Sequence, residues 1–137
     1  MTLVDHRRVA VTAGGEGRTP FQAVLRVDAD SVWVGLVGEF DLAAAPILDA
    51  VVDSLEGLER VVLCVDLAQV TLMDAGGLSA LVAADRRLRA RGSRLELLRP
   101  SERVRWLLDV AVLGDLVVDG PPVGASSGAI RFGDAFR

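Results

Sequence analysis

Apolar and polar positions along the chain divide it into short elements of alternating type. Phe21-Gln-Ala-Val-Leu-Arg-Val27 and Ser31-Val-Trp-Val-Gly-Leu-Val-Gly38 are β-branched and partly alternating, the pattern of strands. Asp28-Ala29-Asp30 between them is turn chemistry, which predicts a hairpin. After Glu39-Phe40-Asp41, the spacing predicts a helix over 42–55. Its Leu48, Val51, Val52 and Leu55 fall at i, i+3, i+4 and i+7. Pro46 is tolerable in a first turn, and Gly57 is placed to stop the helix. Residues 60–66 are almost wholly apolar, as a central strand covered on both faces should be.

A second helix is predicted from about Gly76 to Arg91, with Leu78, Leu81, Val82, Asp85 and Leu88 along one side. Arg86, Arg87 and Arg91 lie on the other side, and Gly92 supplies the stop. Asp85 is out of place on the apolar side. Ser93-Arg-Leu-Glu-Leu-Leu-Arg99 alternates like a strand. Pro100-Ser101 then opens a third helix with Ser101 as N-cap and Val104, Leu107, Leu108 and Ala111 as its stripe. Trp106 points away from that stripe. Gly114-Asp115 turns into Leu116-Val-Val118, a short last strand or the end of the fold.

The order β-β-α-β-α-β-α predicts an α/β domain over 21–118, a mixed sheet with helices on one or both faces. Residues 1–20 contain Gly14, Gly15, Gly17 and Pro20 without a sustained period and read as a flexible arm. Residues 119–137 open with Pro121-Pro122 and read as a tail, flexible or folded back onto the body through Ala129–Phe132 and Phe136.

Composition narrows the class. The chain of 137 residues is long enough for one domain with a real core. The longest run without charge is 11 residues, Gly120 to Ile130, and a membrane helix needs about 20. The N-terminus has no continuous apolar segment of the secretory kind, so a cytoplasmic protein is expected. The single cysteine, Cys64, excludes an internal disulfide and lies in a strand, where burial is the usual fate of a free thiol. His6, the only histidine, has no cysteine or carboxylate cluster beside it, so no metal site is expected.

The net charge of −4 hides a split. From Asp28 to Asp74 there are ten acids and one arginine; from Arg86 to Arg105, eight arginines and two acids. A solvated helix face explains the basic stretch more simply than nucleic-acid binding, which is not expected of an acidic chain.

Chemistry-bearing motifs are few. A phosphate-binding loop ending in Gly-Lys is impossible without lysine. Gly124-Ala-Ser-Ser-Gly128 has the spacing of a nucleophile elbow, but no strand or helix is predicted around it. Glu39 with Asp41, or Asp66 with Asp74, would be the candidate carboxylate pairs. Capping explains Asp41 and Asp74 at least as well, and no nucleophile accompanies them, so no enzyme activity and no cofactor are expected. The turn Asp74-Ala-Gly-Gly77 stands out instead. A strand feeding a helix through residues with almost no side chain leaves bare N–H groups at a positive helix start.

Asp74-Ala-Gly-Gly-Leu-Ser79 resembles the Asp-Ser-Ser-Gly-Leu-Gly motif of STAS domains, the family of bacterial anti-sigma factor antagonists. Gly38-Glu-Phe-Asp41 resembles the family's Gly-Glu-Leu-Asp after its second strand. Residues 65–73 resemble the strand leading to the motif, and Arg91-Gly92 with 95–98 resembles the following helix end and strand. Pro100-Ser-Glu-Arg-Val104, Leu107-Leu108 and Val112-Leu113 resemble its last helix and the Gly-Leu after it.

The resemblance implies a STAS-type mixed sheet of four to five strands with three to four helices packed against it. It also implies binding to an anti-sigma factor, usually a serine kinase of the GHKL type, so that a sigma factor is released. The implied partner surface is Gly38, Glu39, Asp41, Thr71, Asp74, Ala75, Gly76, Gly77, Leu78 and Ser79. In the family the kinase phosphorylates the second serine of the motif, and the phosphorylated protein lets go. That position is Gly76 here and the preceding serine is Ala75, so neither accepts phosphate. Ser79 and Thr71 are the nearest hydroxyl alternatives. A ligand- or nucleotide-binding sensor, or an accessory subunit of a transporter or signalling assembly, is the alternative within the same family. A weak homodimer is compatible with either.

Overall fold

The alternating segments form a six-stranded sheet in the order β1-β2-β3-β4-β5-β6. The computed structural model describes residues 9–13, 21–27 and 31–119. Strands β1 (Val9–Ala13), β2 (Phe21–Val27) and β3 (Ser31–Phe40) are antiparallel neighbours. Strands β4 (Val62–Met73), β5 (Arg94–Leu98) and the two-residue β6 (Val117–Val118) add in parallel. Each parallel addition requires a crossover, supplied by α1 (Ala45–Ser54), α2 (Ala75–Arg89) and α3 (Glu102–Val110). The mixed sheet and three helices match the expected α/β class.

Alternation decides which sheet face the helices cover. Phe21 and Ala23 of β2, Val32, Val34 and Leu36 of β3, Leu63, Val65 and Leu67 of β4, and Leu95 and Leu97 of β5 share one face. They form a single buried cluster with the apolar sides of all three helices. The intervening residues point to the opposite face, where Val24, Trp33, Cys64 and Leu98 form a second, smaller cluster.

Several boundaries differ from expectation. Val9–Ala13, assigned to an arm, pairs along β2 as an edge strand; its five residues are too few for a period to declare itself. Strand β4 runs to Met73 rather than stopping at Asp66. Asp66 is tolerated inside it because the buried carboxylate pairs with the Arg99 guanidinium and accepts the Ala68 N–H at 3.0 Å. Helix α1 starts three residues later than predicted, with Pro46 in its first turn. The packed stripe of α2 is Gly77, Ala80, Leu81, Ala84 and Leu88, rotated toward small residues that let the helix approach the sheet closely. Asp85 therefore sits at the stripe's edge, paired with Arg89 at 3.0 Å. His6, the 28–30 turn, the Gly124–Gly128 motif and the tail from 120 lie outside the described residues.

The charge split resolves locally. Among the described residues, five of the arginines between 86 and 105 have acidic partners: Arg87–Asp53, Arg89–Asp85, Arg94–Glu96, Arg99–Asp66 and Arg105–Asp119. Arg87 and Arg91 reach across to α1, Arg91 donating to the Val52 carbonyl at 3.4 Å. Arg87, Arg91, Arg99 and Arg105, half of the eight arginines, thus tie neighbouring elements together.

Candidate functional site

Strands β3 and β4 end side by side, with Glu39 opposite Leu72 and Phe40 opposite Met73. The register slips between Gly35 and Val37 and again between Gly38 and Glu39. Gly38 has φ +104°, a conformation that costs glycine little and other residues more. These irregularities turn the end of β3 into a loop, Asp41 to Ala44, that lies against the start of α2.

Asp41 builds that loop. Its Oδ1 accepts the Ala44 N–H at 3.0 Å, while its backbone carbonyl accepts the Ala44 and Ala45 N–H groups at 3.1 Å. Asp74 builds the facing helix start. It sits in extended backbone at the N-cap, its Oδ1 accepts the Gly77 N–H at 3.0 Å, and its carbonyl accepts the first helical bond from Leu78. A bond of 3.4 Å from the Asp74 N–H to the Phe40 carbonyl ties the two turns together. Asp74 is the N-cap of α2, whereas Asp41 closes the loop that leads into α1, whose own cap position is Ala44. Among the described residues no hydrogen bond reaches the Ala75 or Gly76 N–H.

The glycines are required by this contact. A Cβ at Gly77 would overlap the Phe40 carbonyl oxygen, and one at Gly76 would come within 2.7 Å of the Leu42 Cα. Both distances are shorter than carbon tolerates, so any side chain at 76 must displace loop backbone. Gly76 is therefore part of the packing, since the loop already fills the space where a side chain would begin.

The surroundings are exposed and apolar. Leu42, which lies against Gly76, is 73% exposed, and Leu72, two residues before Asp74, is 42% exposed. Ala75, Thr71, Asp74 and Ser79 are exposed as well, Glu39 and Asp41 partly so, and Leu78 packs against the main core. The fold thus brings Gly38, Glu39, Asp41, Thr71, Asp74, Ala75, Gly76, Gly77 and Leu78 to one end of the sheet. Ser79 lies one turn along α2, on its outer side. Sequence reasoning missed Leu42 and Leu72. Leu42 looked like the first residue of a helix, and Leu72 looked like part of the lead-in to the motif.

Two other candidates are not assembled. Asp66 points to the sheet face opposite the helices and lies eight strand residues from Asp74, on the order of 25 Å of extended chain. Cys64 is fully buried in the middle of that face. Burial pushes its thiol up to about 12 from a usual 9, helped by the negative charge of Glu96 and opposed by Arg94.

Comparison with known proteins places this geometry. A family model described as "Mlab, STAS domain" matches residues 23–118. The anti-sigma-B factor antagonist of Listeria monocytogenes is 33% identical over 90 residues, covering 66% of this chain and 79% of the relative. The solved anti-sigma factor antagonist SpoIIAA in its unphosphorylated form superposes with a TM-score of 0.64 at 25% identity, over 74% of this chain and 88% of that one. A sulfate transporter family protein from Wolinella succinogenes superposes at 0.58 with 26% identity, over 66% and 78%. No helix among the described residues is long and apolar enough to cross a membrane. With a family model spanning most of its length and a curated relative a third identical, the chain belongs to the STAS domain family as a homologue of anti-sigma factor antagonists.

Proposed function

We propose that this protein is an anti-sigma factor antagonist that binds an anti-sigma factor of the serine-kinase type and so frees a sigma factor. Its docking surface is the start of α2, from Asp74 to Ser79, together with the Gly38–Asp41 segment, Thr71, and the exposed Leu42 and Leu72. The observation that carries this reading is the close contact between Leu42 and Gly76, which presents an apolar surface rimmed by acids. Glu39, Asp41 and Asp74 contribute negative charge there and favour a partner face with cations.

Phosphate at the family's acceptor position does not regulate this chain, because Gly76 has no hydroxyl and Leu42 fills the space beside it. Binding is controlled by supply of the protein or by another site. Incubation with the anti-sigma kinases of its host and ATP, followed by mass spectrometry, tests this. The expected result is a stable complex and an unmodified chain. Phosphate on Ser79 or Thr71 with release of the partner would overturn it. The likeness to a sulfate transporter family protein favours, as a second reading, an accessory role in a transport assembly. That reading predicts no anti-sigma complex at all.

A further inference from the structure

The face of the sheet away from the helices is built like an interior. One row across four strands carries Arg26, Trp33, Cys64 and Glu96, and the next carries Val24, Gly35, Asp66, Leu98 and Val118. Trp33, Cys64 and Leu98 are nine-tenths or more buried, although no described helix contributes a buried residue to their cluster. Glu96 is 94% buried by the same measure, and its Oε1 has no hydrogen-bond partner among the described residues; the buried Ser31 Oγ on this face has none either. A buried apolar strip with polar groups awaiting partners needs a cover that brings both apolar side chains and donors.

We propose that the cover is the chain's own C-terminal segment, residues 129–136, docked along this face. Three observations select it. The described chain leaves the sheet at Val118, a member of the second cluster, so the segment begins at the face it would cover. The nine residues between Asp119 and Ala129 reach roughly 30 Å when extended, and the row centre at β4 lies about 10 Å across the sheet from β6. Ile130, Phe132 and Phe136 recur on alternate positions of the segment, so an extended chain turns all three to one side, and its backbone N–H groups supply donors for the unpaired Oε1 of Glu96. The segment thereby closes the second face and leaves the α2 end as the open apolar surface of the domain.

Hydrogen exchange on the full chain, read peptide by peptide, tests the proposal without altering the protein. Docking predicts protection of amides in 129–136. Exchange there at the rate of an unfolded chain overturns it, and protection of residues 1–8 instead assigns the face to the N-terminus. A second readout uses Cys64 as reporter. In the full chain its reaction with a thiol reagent is slow, and Ile130→Asp with Phe132→Asp raises the rate at least about tenfold while the helical circular dichroism is kept. An unchanged rate in the double variant, or wild-type protection that falls on dilution as for a second copy, contradicts the assignment.

Discussion

Helices α2 and α3 begin in the same way and end up doing different things. Each follows a strand, each has an N-cap side chain in extended backbone, and each cap accepts the N–H three residues on. The distances are 3.0 Å from Gly77 to Asp74 and 3.2 Å from Val104 to Ser101. At that third position α3 places a buried valine in the core, whereas α2 places a glycine against the Phe40 carbonyl. At the second position α3 has an exposed Arg103 and α2 has Gly76 beneath Leu42. Around α3's start lie Glu102 and Arg103; around α2's lie Leu42 and Leu72. A capped helix start is therefore a structural device by default. It becomes a candidate docking surface when a neighbouring loop is brought into backbone contact with it and exposes apolar side chains there.

Opposite changes at the third positions should expose that difference most strongly. Gly77→Ala adds one methyl against fixed backbone and should cost about 3 kcal/mol, near the top of the range for overpacking. Val104→Ala removes volume from the core of α3 and should cost about 2 kcal/mol through the cavity left behind. Urea unfolding of both variants measures this; a Gly77→Ala protein as stable as wild type would show that the loop yields easily. Gly76→Glu, a natural choice for blocking a partner, must also displace Leu42, so its effect on binding has to be read beside its stability.

The caps should be alike in stability and unlike in binding. Asp74→Ala and Ser101→Ala each remove one side-chain acceptor and should each cost about 1 kcal/mol. Only Asp74→Ala should also weaken the anti-sigma complex, measured by calorimetry beside the unfolding curves. Equal binding by the two variants would separate the cap from the docking surface.

The far end of α3 offers a smaller test in the other direction. Val112 has φ +61° and is 84% exposed, a β-branched residue in the left-handed region that closes the helix. Its N–H donates to Asp109 and the Leu113 N–H to Leu108, the bonds of a helix end that glycine usually makes. Val112→Gly should raise stability by about 1 kcal/mol, seen as a higher denaturation midpoint, since relief of the strained conformation outweighs the extra freedom of the unfolded chain.

The same comparison shows what could be read from sequence. Ser101 as a cap, the stripes of α1 and α3, and the stops at Gly57 and Gly92 were legible because they depend on neighbours along the chain. The motif at 74–79 was legible as a helix start for the same reason. What the sequence could not display was the loop lying on it, because Leu42 and Gly76 meet only after β3 and β4 pair in a register broken at two places. Asp66 hid the length of β4 for a similar reason: its partner Arg99 is 33 residues away. The glycines of the turn read as a missing switch in one dimension and as a packing requirement in three.

The central claim, that the start of α2 with its exposed leucines binds the partner, is tested most directly by calorimetric titration of the anti-sigma factor with two surface variants. Leu42→Asp alters a side chain that is 73% exposed, and Arg103→Asp alters the corresponding exposed start of α3. Both should fold as wild type. Leu42→Asp should weaken the complex roughly 10- to 100-fold, about 1.4–2.7 kcal/mol, with Arg103→Asp unchanged. Equal affinities for Leu42→Asp and wild type, or loss in Arg103→Asp alone, would contradict the account.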